Sequence, residues 1–215
     1  MASTDDGGFL EKFRKRLKDN KDNRNKQFSN YLSMIDSLES KKFVSRRGRV
    51  ANPGTDLNFQ AGKVRSASTT NLFKNPSTKL DDLKSIIIDE VNSYRLKFKD
   101  RDCSFIKKWP SKINLRAWHV ILKKQGYQIS HIHPGAWLSG VIYLKVVPSF
   151  EKNEGAIEFS LNGKNYSDPS SPKLIHQPKV GDIVLFPSTL HHRTIPFTAD
   201  EDRIIISFDL RIDVK

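Results

Sequence analysis

The sequence predicts a mainly β protein with flanking helices, its core an antiparallel barrel or sandwich over residues 113–210. Three observations carry this expectation. From Ile113 onward apolar and aromatic residues fall in short runs of strand length. The runs are divided by turn-rich breaks such as EKNEG, LNGKNYSDPSSP and PFTADED. Only one strong helical period stands ahead of them, so the strand–helix alternation of a parallel sheet is missing.

Residues 1–62 are mostly polar. Two stretches in them, 9–18 and 26–43, carry apolar residues at helical spacing: Phe13 and Leu17, then Phe28, Leu32, Ile35 and Leu38. We read 1–62 as a basic arm, partly helical or disordered, and 63–215 as the folded domain. Val44 to Ser77 is rich in Arg, Gly, Asn, Ser and Pro and reads as a linker or an extended segment laid over the core. After Pro76, Leu80, Leu83, Ile87, Val91, Tyr94 and Phe98 recur at steps of three or four. That period predicts an amphipathic helix over 79–99 whose stripe packs on the sheet. The predicted strands are 113–123, 139–147, 156–161, 182–186 and 203–210, with short ones near 127–132 and 173–176.

A net charge of +13 raises the question of nucleic acid. About half of the excess lies in residues 1–50, which hold 13 Lys and Arg against seven Asp and Glu. The rest is dispersed, and no zinc-finger spacing or aromatic–basic motif accompanies it, which argues against a nucleic-acid role. Cys103 is the only cysteine, so no intrachain disulfide forms. No run approaches the roughly 18–20 apolar residues of a membrane span, and the start lacks the apolar stretch of a signal peptide. A cytoplasmic protein is the expectation; oligomeric state is not legible.

Six histidines are present, and four stand in two clusters, SHIHPG and FPSTLHHRT. Residues two apart in an extended segment point to one side, so His131 and His133 can reach a common point. Adjacent His191 and His192 point apart. One pair plus one distant histidine makes a plausible three-ligand iron site. His119 and His176 read as ordinary strand residues.

The run GYQISHIHPGAWLSGVIYL, Gly155 ahead of a strand, and GDIVLFPSTLHHRTIPF followed by DRIIISFDL resemble the 2-oxoglutarate- and Fe(II)-dependent oxygenases. More narrowly they resemble a branch related to prolyl hydroxylases. The resemblance spans Asn71 to Asp209 and implies a double-stranded β-helix, the jelly-roll or cupin-like barrel. It implies His131 and His192 as iron ligands and Arg203 as the partner of the remote carboxylate of 2-oxoglutarate, with Ser207 and Tyr143 lining the same pocket. Trp118, Trp137 and Tyr127 become candidates for a substrate pocket. The sequence departs from the usual pattern where His133 replaces an aspartate, so the third ligand is either His133 or a borrowed carboxylate such as Glu158. It departs again at Ile205, where a serine is usual. The activity implied is a dioxygenase hydroxylating a peptide or protein side chain. The alternatives are a cupin-like three-histidine dioxygenase that needs no 2-oxoglutarate and a non-catalytic β-barrel binding module.

Overall fold

The computed structural model describes residues 66–67, 71–163 and 166–212. The arm 1–62, with the two stretches predicted as helical, lies outside the described residues. The long helix, α1, runs over Thr78–Phe98. It begins just after Pro76; Ser77 is extended, and its carbonyl accepts from the N–H groups of Leu80 and Asp81 at 2.9 and 3.0 Å. Asp81 in the first turn and Arg95 and Lys97 in the last suit the helix dipole. Its buried stripe is Leu83, Ile86, Ile87, Val91, Tyr94 and Phe98, nearly the predicted one. Each such side chain contributes about 1.5–3 kcal/mol on burial. A single turn, α2 (Ser104–Lys107), follows and brings Phe105 flat against Trp137, with ring centroids 5.2 Å apart and planes 8° from parallel.

The described residues form nine strands, seven of them close to the expected positions: β1 (Ser66–Ala67), β2 (Ile113–Leu122), β3 (Gln128–His131), β4 (Ala136–Lys145), β5 (Ile157–Ser160), β6 (Lys173–His176), β7 (Ile183–Pro187), β8 (His191–Thr194) and β9 (Arg203–Ile212). All pairings between them are antiparallel. Strand β8, where the two adjacent histidines stand, and the two-residue β1 were not among the predicted strands.

The expectation of a jelly-roll barrel, the double-stranded β-helix, is corrected here. The strands sort into two separate sheets, five-stranded in the order β1-β2-β9-β4-β7 and four-stranded in the order β3-β8-β5-β6. Among the described residues no ladder joins the two, and neither sheet closes on itself. The chain passes between them through turns, at 132–135 after β3 and at 188–190 after β7, and a turn that breaks backbone pairing ends a sheet instead of bending it into a barrel. With its 21-residue helix the molecule is a mixed α/β fold.

Alternation sets the two faces of the five-stranded sheet. Arg203, Ile205 and Ser207 on β9, with Val141 and Tyr143 on β4, face a cavity shared with the other sheet. Ala117, Ile142, Ile206 and Phe208 belong to the opposite face and are buried in the same apolar cluster as the α1 stripe. Gly140 lies opposite Phe208, and a Cβ there would stand 2.2 Å from the Phe208 ring. The absent side chain is what lets that ring cross β4.

The outer edge of β2 is occupied in two ways. β1 pairs with Ile121 and Val120. Further along, the Asn71 side chain accepts from the Ala117 N–H at 3.0 Å and donates to the Leu115 carbonyl at 3.4 Å. Leu72 N–H also donates to the Ala117 carbonyl at 2.9 Å.

Candidate metal centre

His131 closes β3 and is the direct cross-strand partner of His192 on β8. Opposed residues in an antiparallel pair present their side chains on one face, so these two rings meet, with centroids 4.3 Å apart. His133 lies two residues on, in the turn to β4, and its N–H donates to the Ser188 carbonyl at 2.9 Å. Ser188 in turn donates its N–H to the Trp137 carbonyl at 3.2 Å and its hydroxyl to the Ala136 carbonyl. The FPS turn thereby fixes the turn that carries His133. The His133 ring lies 5.3 Å from His131 and 5.0 Å from His192. One ring nitrogen from each of the three falls within 4.8 Å of the others, and the residues are 9, 7 and 5% exposed.

Every one of the three Nδ1 atoms faces an acceptor. His131 Nδ1 donates to the Ile129 carbonyl at 2.7 Å, His192 Nδ1 to the Leu190 carbonyl at 3.0 Å, and His133 Nδ1 to Asp209 Oδ1 at 2.7 Å. The proton is therefore fixed on Nδ1, and the Nε2 lone pairs are left as the available ligand atoms. Burial, followed by the neighbouring His133, holds His131 down to about 4. Burial, then His131 and His133, puts His192 well below the usual histidine range. Both rings are neutral at pH 7 and need lose no proton to bind a cation. The donor set fits a divalent transition metal such as iron.

No carboxylate joins these nitrogens among the described residues. Glu158 pairs on its strand with Arg193 and Ile175, while its neighbour Phe159 lies opposite His192. Alternation turns Glu158 away from the cavity. There it holds Arg193 through two contacts of 2.8 and 3.0 Å. Asp209 stands behind His133. The expected activity is corrected accordingly. An Fe(II)- and 2-oxoglutarate-dependent hydroxylase of the usual kind works on two histidines and one carboxylate, and this centre offers three imidazoles instead. 2-Oxoglutarate is withdrawn as cosubstrate with it; a metal site compatible with iron stays.

The centre opens on a cavity between the sheets, walled by Gln128 and Thr194 on one side and by Tyr143, Arg203, Ile205 and Ser207 on the other. Arg203 is 1% exposed. Its Nε donates to the Gly155 carbonyl at 3.2 Å, its guanidinium carbon lies 5.0 Å from the Tyr143 ring centroid, and its Nη1 has no hydrogen-bond partner. The Tyr143 hydroxyl is equally buried and without a partner. Gly155 can present that carbonyl because its φ is +69°, and a Cβ there would meet Val147 at 2.8 Å. Trp118 lies beside His133 at 5.6 Å. Trp137 stacks on Phe105, and Tyr127 is 37% exposed; none of Trp118, Trp137 and Tyr127 lines the cavity. His191 is half-buried against Gly163 and outside the cluster.

Sequence reasoning missed Ser139 and Asp209 as parts of the site. Ser139 opens the SGVIYL motif, and its hydroxyl donates to Asp209 Oδ1 at 2.7 Å. Asp209 shares the face of Arg203 and Ser207, so the same alternation pointed to it; its partner lies 76 residues away and was not readable.

Residues 116–209 match the model of a family described as "Putative 2OG-Fe(II) oxygenase". No curated protein matches the sequence. Among solved structures, the chain is similar to a viral collagen prolyl hydroxylase from Paramecium bursaria Chlorella virus-1, at 17% identity over 70% of this chain and 80% of that one, TM-score 0.46. It is similar to a Pseudomonas putida prolyl-4-hydroxylase at 13% identity over 62% and 66%, TM-score 0.43. It is also similar to a 2OG-Fe(II) oxygenase family oxidoreductase from Burkholderia pseudomallei, at 13% identity over 49% of this chain, TM-score 0.37, and spans 46% of that chain's length. The match to the 2OG-Fe(II) oxygenase family lies in residues 116–209, and within them three histidines converge with no carboxylate among the ligand atoms.

Proposed function

We propose that this chain is a three-histidine iron dioxygenase of the cupin-like kind, acting without 2-oxoglutarate on a small substrate that carries an anionic group. The observation that supports it most is the set of three buried imidazoles, each held at Nδ1 and free at Nε2, with no carboxylate among them. Bound iron would supply the redox chemistry of an oxygenase. The chain's own residues do the rest: His131, His133 and His192 hold the ion, and Arg203 offers a buried, fixed positive charge in the same cavity. A planar guanidinium with one unpartnered N–H edge suits a carboxylate, and Tyr143 and Ser207 add neutral hydrogen-bonding groups beside it. The free, buried Cys103 agrees with a reducing compartment, and we place the protein in the cytoplasm. No helix among the described residues is long and apolar enough to cross a membrane.

Anaerobic titration with Fe(II) tests the reading. One tightly bound ion per chain is expected, lost in His192→Ala and kept in His191→Ala. Adding 2-oxoglutarate to the loaded protein should produce no iron-to-keto-acid charge-transfer band. Oxygen uptake should depend on a small carboxylate substrate and should neither require nor consume 2-oxoglutarate. Equal iron loss in the two variants overturns the ligand set, and iron binding with no oxygen uptake across a panel of small carboxylates overturns the enzyme in favour of a binding module.

A further inference from the structure

A centre of three neutral ligands leaves a divalent ion with its whole double charge, one unit more than a centre of two histidines and a carboxylate. Burying that charge between two sheets is costly unless a negative group stands close. Such a group is present. Asp209 is 5% exposed on β9 and accepts from His133 Nδ1 at 2.7 Å. The Ser139 hydroxyl, at 0% exposure, donates to the same oxygen at 2.7 Å and lies 3.1 Å from His133 Nδ1. The three side chains close a small triangle: the serine holds the carboxylate and the carboxylate holds the ring. The other two histidines give their Nδ1 protons to backbone carbonyls, which carry no net charge. Arg203, whose face Asp209 shares, does not neutralise the carboxylate; the guanidinium contacts the Gly155 carbonyl and the Tyr143 ring.

We infer that Asp209 is the missing carboxylate of this centre, displaced to the far side of His133, where it makes that imidazole the strongest donor of the three and supplies the compensating charge through it. The inference rests on the three-histidine reading above. A carboxylate in this position polarises the Nδ1–H bond and raises electron density at Nε2, so His133 binds a cation more tightly than a histidine bound to a carbonyl. Ser139 acts through Asp209 by fixing the oxygen that faces the ring. Both are positioning residues and touch neither the ion nor a substrate.

Asp209→Asn tests this, because the amide keeps an oxygen for the His133 proton and the Ser139 hydroxyl while losing the charge. The folded state is checked by far-ultraviolet circular dichroism and thermal unfolding. Affinity for Co(II) and Fe(II) is then measured anaerobically by competition with a chromophoric chelator, and the Fe(III)/Fe(II) midpoint potential by spectroelectrochemistry. Affinity should fall about 10- to 100-fold, and the potential should move positive, since loss of a nearby negative charge disfavours the ferric state more than the ferrous. Ser139→Ala should move both readouts the same way by less, and it carries the same test if the asparagine variant does not fold. A wild type that binds neither ion overturns the metal centre itself. A wild type that binds them, with affinity and potential unchanged in folded Asp209→Asn or, failing that, Ser139→Ala, leaves the centre standing and overturns the role of Asp209.

Discussion

The five-stranded sheet is buried on both faces, whereas the four-stranded sheet buries mainly one. β7 is buried throughout, as are Leu138–Tyr143 of β4 and Ile205–Leu210 of β9. β8 alternates between buried and more open positions, and β6 between half-buried and exposed ones. The larger sheet has ten-residue strands and a helix stripe in its apolar cluster; the smaller has four-residue strands. The site divides along the same line. The smaller sheet brings the facing rings of His131 and His192, and the larger brings the fixed charges, Arg203 and Asp209. Stability is concentrated in one sheet, and the chemistry needs both.

The largest effect should come from the core of the larger sheet. Phe208→Ala removes a fully buried ring that lies over Gly140 and should cost about 3–5 kcal/mol in urea unfolding. A loss below about 1 kcal/mol would mean that this sheet is not where stability resides. Arg203→Ala asks whether the larger sheet also supplies the anion site. Binding of malonate, succinate or glutarate to Co(II)-loaded protein should weaken by about 2–4 kcal/mol, roughly 30- to 1,000-fold, with Co(II) affinity unchanged. Equal carboxylate binding in variant and wild type would detach Arg203 from the site.

Acid should act through the smaller sheet. His131 and His192 stay neutral in the fold, while in the unfolded chain each takes a proton as pH falls below about 6.5. The unfolded state then binds more protons, so stability is full above about pH 6.5 and is lost as pH falls toward about 4, the folded value of His131. For that residue the loss is on the order of 3 kcal/mol. Thermal unfolding of metal-free protein across this range should show the decline, and a flat profile would contradict the buried neutral rings. The smallest effect is expected on the open face: Ile175, 39% exposed on β6, should tolerate Thr within about 0.5 kcal/mol.

Legibility in the sequence followed the same division. Strands buried on both sides read as continuous apolar runs, so IVLF and RIIISF announced themselves, as did the helix through its period. β8, HHRT, has no apolar residue, so it was not predicted as a strand although its histidines stood out. The inward set of Arg203 and Ser207 was readable because strand alternation is local. Two things were not. Whether the strands would close into one barrel depends on backbone pairing across turns, which side-chain pattern does not encode. The role of Asp209 depends on Ser139 and His133, one on a neighbouring strand and the other in the turn before it, brought near only by folding.

The side chain of Asn71 has a consequence for solubility. A bare edge strand is a template on which another chain can add itself by backbone pairing. β2 is ten residues long, and only Val120 and Ile121 pair with β1. At Leu115 and Ala117 the amide of Asn71 offers one acceptor and one donor where a strand would offer backbone groups, and so occupies the edge without extending the sheet. Ser66 and Ala67, with Asn71 and Leu72, therefore work as a guard against edge-to-edge association. A chain shortened past Phe73 would keep its histidines and its helix yet expose a strand already shaped to recruit its own copies.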